Sequence, residues 1–521
     1  MIDAVTQAQS FRAGWRWWLP PALLTLILAL IFLDPFIGDW DALDYTVLSL
    51  NGRPSSMLLG RMLFIFMNRG LWLIAHNLFN LEADHAYLLF KFAVVVQSPL
   101  VVIAWWTLAR DLTRSVQAAT IAALFLCVSP FFILYSGQAM TEIPSLLWIA
   151  VALIIHLRGV RGRRIWQMLL GAALLGLSIN IREAGLLYAP WLLIAPLVCG
   201  WKLRPREMLT MALACLIFLI CALGLFGIWF WFDVGGYRVA WYGWLESMRM
   251  ESALHPVSLA NYSVLLRYFW QAAPLALPLL PIAAVMEYRR RGLTLPLAFA
   301  CLGLFANLSL IIHYSIVING RYLLTGLPAI LPLVSAQLIQ GLKAITGHMW
   351  RAFACAMIAL LLVAVWTGLH WWPGNLAYIR ARSFTKDYRE RLALLPSDAV
   401  IIPGAQTVSV TYWRGIGSGH WDVIGTGGGW SSGKLATIVE RYLKEGRRIF
   451  LDRDIRWWSV CGWQLAETRE LTQLESLFHF RRVSETIYEI RPIDDESAQD
   501  APNLQQLLPE NRPDEVKYCS G

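Results

Sequence analysis

The sequence predicts a polytopic α-helical membrane protein of about eleven transmembrane helices, followed by a small extracytoplasmic α/β domain. Of its 521 residues, 57% are hydrophobic and 15% are charged, against roughly 45–50% and 25% in a soluble domain. Apolar stretches of membrane-spanning length recur from Trp18 to His370, and each ends at a polar or basic cluster. Beyond His370 the composition becomes that of a water-soluble domain.

The predicted spans are apolar segments whose ends coincide with polar clusters typical of the lipid headgroup region. They are Trp18 to Leu33, Leu88 to Leu108, Val116 to Leu134, Ser145 to Leu157, Trp166 to Ile179, Gly185 to Cys199, Met208 to Trp231, Leu265 to Met286, Leu293 to Ile312, Tyr322 to Gln340 and Ala352 to His370.

The distribution of basic residues predicts the orientation of these spans. The first span follows Arg12 and Arg16, and no small-residue cleavage site succeeds it, so we expect a retained helix with a cytoplasmic amino terminus. An odd number of spans then places the basic clusters at Arg110, Arg158 to Arg164 and Lys202 to Arg206 on that same side. This predicts an integral protein of the cytoplasmic (inner) membrane whose carboxyl-terminal domain is extracytoplasmic.

The net charge of +9 does not indicate a nucleic-acid partner. Acidic and basic residues nearly balance from Trp371 onward, so the excess lies in the membrane part, where it sets orientation. We expect contacts with membrane lipids and none with nucleic acid.

Cysteine and histidine spacing predicts no dedicated zinc site. Six of the eight cysteines lie in apolar segments, and only Cys461 and Cys519 are expected on the outer side, as one disulfide or as two free thiols. No histidines pair at i and i+4, and no Cys-x-x-Cys occurs.

Gly428 to Lys434 spells G-x-x-x-x-G-K, but Leu435 replaces the Ser or Thr of a P-loop, so we expect a glycine-rich loop.

Four regions follow from these patterns: a transmembrane domain over 1–370, a long first outer loop within it over 34–87, an α/β domain over 371–492 and a disordered tail over 493–521. Interfacial helices are expected in the loop at Leu43 to Leu50 and Met57 to Phe79. In the α/β domain, strand-like runs occur at Ala399 to Pro403, Thr407 to Tyr412, Arg448 to Leu451 and Thr486 to Ile490, with a helix from Lys434 to Leu443.

Three carboxylates, Asp39, Asp41 and Asp44, follow the first predicted span in the segment GDWDALDY. In a helix starting near Asp41, Asp41 and Tyr45 share a face. A carboxylate here can act as a base toward an acceptor hydroxyl or amine. The Asp-x-Asp pair could instead hold a divalent cation, and a solvated acidic helix cap is the third interpretation.

The setting of this segment resembles the GT-C superfamily of glycosyltransferases. A long first outer loop opens with an acid and a Tyr four residues later, here Asp41 and Tyr45, and then turns at Gly52 to Pro54. The resemblance is closest to protein O-mannosyltransferases and to the aminoarabinose transferase of lipid A.

Three further motifs, in the family's order, extend this resemblance over Trp18 to Gln340. MTEIPS contains Glu142 before the fourth span, and NIREAGLLYAPWLL joins the fifth and sixth spans. NGRYLLTGLP is similar to the family's Arg-Tyr-Leu-Leu-Pro segment, with Thr325 in place of the first Pro.

The resemblance implies an inverting transferase that moves a sugar from a polyprenyl-phosphate carrier to an extracytoplasmic glycan, lipid or protein. Asp41 is then the general base, Glu142 the second acid, and Asp44 and Tyr45 lie on the acceptor side of the loop. In the O-mannosyltransferases the two acids are adjacent, whereas here Trp40 separates Asp39 from Asp41. Asp39 or Asp41 as the base, and a divalent cation between them or no cofactor, therefore remain open.

A lipid-phosphate donor requires cations at the outer interface. Arg61, Arg182, Arg267 and Arg321 lie at or beside outer span ends, and a guanidinium can bind phosphate through two hydrogen bonds. Arg321 and the adjacent Tyr322 belong to the family-like segment. Interfacial arginines also contact lipid headgroups without any substrate, and Arg182 has Glu142 and Glu183 as alternative partners.

Two other functions suit a polytopic protein with outer cations. A lipid-linked-sugar transporter or flippase would be expected to contain related halves or polar helices at mid-membrane, and neither is evident. An O-antigen ligase or polymerase would be expected to carry its working residues in a large late loop. A scaffold that binds partners through the tail is the remaining alternative.

Overall fold

A computed structural model describes the protein over residues 2–33, 35, 40–254, 259–313, 320–381, 384–403, 407–417, 419–424, 434–452, 473–484 and 486–493. Asp39, Cys461, Cys519, most of the glycine-rich loop and the tail beyond residue 493 lie outside these residues, so predictions about them stay predictions.

The described chain is mainly helical. Its helices are α1 (Ile2–Ile31), α2 (Trp40–Asn51), α3 (Met62–Phe79), α4 (Ala86–Thr113), α5 (Val116–Cys127), α6 (Pro130–Ser136), α7 (Glu142–Gly162), α8 (Ile165–Ile179), α9 (Trp191–Val198), α10 (Pro205–Trp231), α11 (Tyr237–Leu254), α12 (Leu259–Ala272), α13 (Ala276–Arg291), α14 (Leu295–His313), α15 (Leu323–Thr346), α16 (Met349–His370), α17 (Trp372–Ala381), α18 (Phe384–Leu392), α19 (Thr407–Gly415) and α20 (Lys434–Lys444). Short 3-10 turns occur at Leu58–Arg61, Ala83–His85, Glu183–Tyr188, Val234–Gly236 and Gly320–Tyr322.

Within the described residues, seven helical segments are long and apolar enough to cross a bilayer, and nine if each of two bent pairs forms one span. The bent pairs are α5 with α6, at 68°, and α12 with α13, at 92°. Each predicted span coincides with one of these segments or with one of three apolar helices of 10–17 residues. The chain is therefore a polytopic helical membrane protein, and the count of eleven crossings stays a prediction because those three helices are short.

The segment expected to lie in the interface plane, Met57 to Phe79, contains α3. With its preceding turn this helix meets the same length and composition criteria, and its mean hydropathy of 1.2 is the lowest of the seven. These values suit either a crossing or an in-plane helix, so the interfacial assignment stays a prediction.

Glycines allow several helices of the bundle to pack closely. A Cβ atom at Gly171 of α8 would lie 2.6 Å from the His156 backbone nitrogen of α7. A Cβ atom at Gly303 of α14 would lie 2.6 Å from the Ala329 Cβ of α15. Small residues at such crossings let helix backbones approach in a membrane, where packing replaces the hydrophobic effect as the main attraction between helices.

A five-stranded sheet lies near the carboxyl terminus, in the order β2 (Asp422–Val423), β1 (Val400–Ile402), β3 (Ile449–Asp452), β5 (Ile487–Arg491), β4 (His479–Arg482). The strand β1 is parallel to β2 and β3, while β5 is antiparallel to β3 and β4. Three of these strands and α20 lie where the sequence predicts them. The boundaries 371–492 of an α/β domain stay a prediction.

The predicted strand over Thr407 to Tyr412 is wrong, because this segment belongs to α19. Its β-branched residues give a strand-like pattern, but Val410 and Trp413 share a helical face and are buried. They join the same apolar core as the membrane helices, together with Tyr388 and Leu392 of α18. Tertiary packing therefore outweighs the local preference for a strand.

Candidate active site

The helix α2 carries the acidic segment, with Asp41 near its start and a turn at Gly52 after its end. Asp41 lies in its first turn, where a carboxylate is favoured by the helix dipole. At the other end, the Arg69 guanidinium donates to the carbonyl oxygens of Ser49 and Leu50, at 3.4 and 2.6 Å. The chain then turns at Gly52 with a φ of +64°, and a Cβ atom there would lie 2.8 Å from Arg69 Cζ. Glycine is the residue that this turn favours.

Asp41 forms an ion pair with an arginine that is remote in sequence. Arg321 Nη1 donates to Asp41 Oδ2 at 2.8 Å, across 280 residues of sequence. Arg321 lies in the turn Gly320–Tyr322 that leads into α15, so the family-like segment and the acidic loop meet directly. Both side chains are about four-fifths buried, at 20% and 18% exposure. The resulting hydrogen bond is charge-assisted and partly shielded from water.

A second acidic residue adjoins the same arginine. Glu142 Oε1, at the start of α7, lies 3.8 Å from Arg321 Nε and forms a closer ion pair with Arg182 Nη1. The side chains of Glu142 and Arg182 are only 2% and 6% exposed. Because removal of one partner would leave the other as an uncompensated buried charge, this pair joins the two segments that carry it.

A further ion pair and two aromatic rings complete the cluster. Arg61 Nη2 donates to Glu183 Oε1 at 3.1 Å, and its guanidinium lies 5.2 Å from the centre of the Tyr45 ring. The Tyr322 ring lies 5.6 and 5.3 Å from the guanidinium carbons of Arg182 and Arg321. These distances fit cation–π contacts that orient the guanidinium groups.

Two hydrogen bonds to backbone carbonyl oxygens join the motif after α8 to neighbouring segments. The Tyr188 hydroxyl donates to the carbonyl oxygen of Thr325 on α15, and the Leu63 amide donates to the carbonyl oxygen of Asn180 at 2.9 Å. The segment 180–188 therefore holds both the first outer loop and the start of α15.

Three arginines and three carboxylates thus alternate in one partly buried cluster, which we call the outer charge cluster after the orientation predicted from the sequence. Its members are Arg61, Arg182, Arg321, Asp41, Glu142 and Glu183. Among the described residues, no group of three or more His, Cys, Asp or Glu side chains converges as a metal site. Because its carboxylates are neutralised by guanidinium groups, the described cluster does not fit a divalent cation.

The two acids of α2 have opposite pKa shifts. Burial raises the pKa of Asp41, but the charges of Arg321, Arg61 and Arg182 outweigh it, so the net pKa lies below its ordinary value. Burial and the neighbouring Asp41 charge raise the pKa of Asp44 to about 6, with Arg61 opposing them. At neutral pH Asp41 is therefore ionised, and Asp44 changes its protonation state close to that range.

The structure brings together most of the predicted site residues. Arg267 has an exposed side chain on α12, a helix that contacts the turn Gly320–Tyr322 carrying Arg321. Glu183 was not predicted as a site residue. Its position next to Arg182 in the NIREAG motif is the signal that could have identified it.

The fold of this polytopic bundle, with a charged cluster built from its loops, is similar to that of two solved structures. ArnT from Cupriavidus metallidurans bound to undecaprenyl phosphate matches it with a TM-score of 0.56 and 14% identity over 91% of this chain and 98% of that chain. The apo state of the same ArnT matches with a TM-score of 0.55 and 13% identity over 92% and 98%. No protein-family model and no curated protein matches the sequence.

These matches confirm, for the fold, the resemblance stated from the sequence motifs. ArnT is the lipid A aminoarabinose transferase, one of the two families to which those motifs are closest. The likeness includes nearly the whole of both chains, so it extends past the segment Trp18 to Gln340 that carries the motifs.

Proposed function

We propose that this protein is a glycosyltransferase that moves a sugar from a polyprenyl-phosphate carrier to a hydroxyl or amine acceptor on the outer side of the membrane, with inversion. The observation that carries this proposal is the Asp41–Arg321 pair, a candidate base held beside a candidate phosphate ligand. The fold supports it, because the matching ArnT structure is bound to undecaprenyl phosphate.

The reaction is one displacement at the anomeric carbon of the donor sugar. The acceptor oxygen or nitrogen forms a bond to that carbon, the bond from carbon to the phosphate oxygen breaks, and the lipid phosphate leaves with the electron pair. Asp41 takes the proton that the acceptor loses. Attack opposite to the leaving phosphate accounts for inversion.

The ion pair makes the basicity of Asp41 depend on whether Arg321 binds the donor phosphate. A carboxylate bound to a guanidinium is ionised but weakly basic, because the positive charge stabilises its deprotonated form. A donor phosphate would compete for Arg321, since guanidinium binds phosphate oxygens as well as carboxylate oxygens. The pKa of Asp41 would then rise, so donor binding would itself activate the base.

The other members of the outer charge cluster support this pair. The buried Glu142 and Arg182 hold the region around Arg321, and the Tyr322 ring lies beside both guanidinium groups. Arg61 adds positive charge on the Tyr45 side of α2. We assign these arginines and Tyr322 to stabilisation of the leaving phosphate, a role that suits charges held in place before reaction. The exposed Arg267 is assigned to the same substrate at the membrane surface.

The proposal includes an orientation. The amino terminus lies in the cytoplasm, the outer charge cluster and the sheet region lie outside it, and the protein is integral to the inner membrane. The basic clusters between the predicted spans support this orientation.

Purified protein incubated with a radiolabelled polyprenyl-phosphate sugar and membrane extract should transfer the label to an acceptor. Asp41→Asn keeps the side-chain shape and removes the basic oxygen, so we expect transfer to fall by at least about 100-fold. The matched control is Asp233→Asn, which changes another carboxylate in an outer loop, where it pairs with Arg238 at 3.6 Å.

Equal transfer by wild type and Asp41→Asn would contradict the assignment of Asp41. If no sugar leaves any carrier, the transporter alternative is favoured, and movement of the intact carrier across liposomes would establish it.

A further inference from the structure

The helix that carries Asp41 is covered by a helix from the carboxyl-terminal part of the chain. The helix α19 packs directly on α2. Its buried residues Val410, Tyr412 and Trp413 belong to the same apolar core as Ala42 and Leu43 of α2. The acidic helix is therefore anchored on one side by the outer charge cluster and on another by α19.

The two helices approach each other closely at Gly415, the last residue of α19. A Cβ atom there would lie 2.9 and 3.2 Å from the two γ-methyl carbons of Val47 and 3.7 Å from its Cβ. Any side chain at position 415 would therefore push Val47 and α2 away. Val47 is six residues after Asp41, or about 9 Å along the helix axis at 1.5 Å per residue, so a displacement there moves the same rigid element.

Two contacts beside Gly415 hold α19 and its neighbour α18 to the membrane part. The Tyr412 ring lies 6.0 Å from the Tyr87 ring at the start of α4, in an edge-to-face arrangement. Arg389 Nη2 of α18 forms an ion pair with Asp84 Oδ2 at 2.7 Å. The aromatic pair thus joins α19 to α4, and the partly exposed ion pair joins α18 to the turn before α4.

We propose that α19 is a positioning element for α2: its contact with Val47 through Gly415 holds Asp41 beside Arg321, where the donor phosphate is proposed to bind. This inference deepens the proposed function and rests on it for the effect on turnover. Because the Asp41–Arg321 hydrogen bond is 2.8 Å long, a displacement of α2 by 1 Å would break it. Gly415 and Val47 are positioning residues and touch no reacting atom.

The first experiment measures the order of α2 by hydrogen–deuterium exchange and, separately, the turnover of the enzyme. Leucine has a higher helix propensity than glycine, so a loss in Gly415→Leu comes from the clash with Val47 and not from the backbone. We expect faster hydrogen–deuterium exchange in residues 40–51, with exchange in α14 unchanged. We also expect kcat to fall about 10- to 100-fold with KM nearly constant, the scale of a 1 Å misplacement. Val47→Ala in the same chain should restore most of both.

Gly374→Leu is the matched control, because Gly374 also lies in an outer helix, α17, and a Cβ atom there meets nothing within 4 Å. Unchanged exchange over residues 40–51 in Gly415→Leu would overturn the inference, as would failure of Val47→Ala to rescue either measurement.

The second experiment does not depend on a variant in which a bulky side chain clashes with Val47. The Cβ separation of 3.7 Å suits a disulfide, for which the typical value is about 3.8 Å. The pair Val47→Cys with Gly415→Cys should therefore crosslink under mild oxidation, identified by mass spectrometry of the joined peptides. The crosslinked protein should keep the turnover of its reduced form.

Loss of turnover on crosslinking, restored by reduction, would show that α19 must leave α2 and would overturn the inference. Failure to crosslink would overturn it as well. The proposed function fails separately. If the cysteine pair crosslinks and Gly415→Leu speeds exchange in α2, yet wild-type protein transfers no sugar, the positioning contact stands and the transferase is contradicted.

Discussion

At the scale of single residues, the outer charge cluster is electrically balanced. Three guanidinium groups face three carboxylates, and each arginine is paired before any substrate arrives. In the proposed reaction, a donor phosphate would have to displace a carboxylate, and the partly exposed Asp41 would be displaced more easily than the buried Glu142. The charge balance would then link donor binding to release of the proposed base.

Asp44 provides a test of the electrostatics of α2 that is independent of catalysis. Its pKa of about 6 lies above the roughly 3.9 of an Asp in an unfolded chain. Between these values the folded state holds more protons, so stability falls as pH rises through this range and stays lower above it. Asp44→Asn is neutral at every pH, and we expect it to raise the melting temperature of detergent-solubilised protein by several degrees at pH 8 and by less at pH 5. Equal effects at both pH values, or the same pattern in the control Asp233→Asn, would contradict the raised pKa.

Much of the outer charge cluster could be predicted from sequence, because Asp41, Glu142 and Arg321 lie in motifs whose order matches a known family. Their pairing could not be predicted, since Asp41 and Arg321 are 280 residues apart. The pair Arg61–Glu183, separated by 122 residues, has no local signal that joins its members. Ion pairs between distant loops depend on how the helices between them pack.

At the scale of elements, apolar composition predicted the helices of the membrane spans, while two breaks between helices coincide with prolines. The bend between α12 and α13 follows Pro274, and α6 begins at Pro130 after the break from α5. A proline lacks the amide that would continue the helix, which fits both breaks. Pro99 and Pro328 lie inside α4 and α15, however, so a proline alone does not predict a break. The helix α19 could not be predicted from sequence, because burial against α2 decides its conformation.

Arg321 lies just before α15, which packs closely on α14. A substitution at Gly326 tests whether this packing positions Arg321. A Cβ atom at Gly326 would lie 2.5 Å from Asn307 Cγ of α14. We therefore expect Gly326→Leu to separate the helices, lower the melting temperature by several degrees and reduce sugar transfer, because Gly326 is five residues after Arg321.

The matched control for this substitution is Gly341→Leu. Gly341 lies on the same helix, and a Cβ atom there meets nothing within 4 Å. If both leucine variants lower the melting temperature equally, leucine itself is harmful in α15, and the specific role of the α14–α15 contact is contradicted.

At the scale of the whole molecule, two apolar cores lie against the sheet, and the first of them includes residues of α2. The core of the membrane helices continues through α18 and α19 into one face of the sheet, while a second core fills the space between the sheet and α20. The carboxyl-terminal segment is thus joined to the membrane part through the element that carries Asp41. Composition predicted a soluble region after His370, but its attachment to the site depends on contacts between segments more than 300 residues apart.

The proposed orientation can be tested with two exposed leucines on opposite sides of the bundle. Leu394, which is 81% exposed, lies between α18 and β1, and Leu203, which is 69% exposed, lies in the basic loop before α10. In sealed right-side-out vesicles, a membrane-impermeant maleimide should label Leu394→Cys at once and Leu203→Cys only after permeabilisation. Peptide-resolved mass spectrometry distinguishes these sites from the native cysteines. Labelling of Leu203→Cys in sealed vesicles, or protection of Leu394→Cys, would reverse the orientation and would place the outer charge cluster in the cytoplasm.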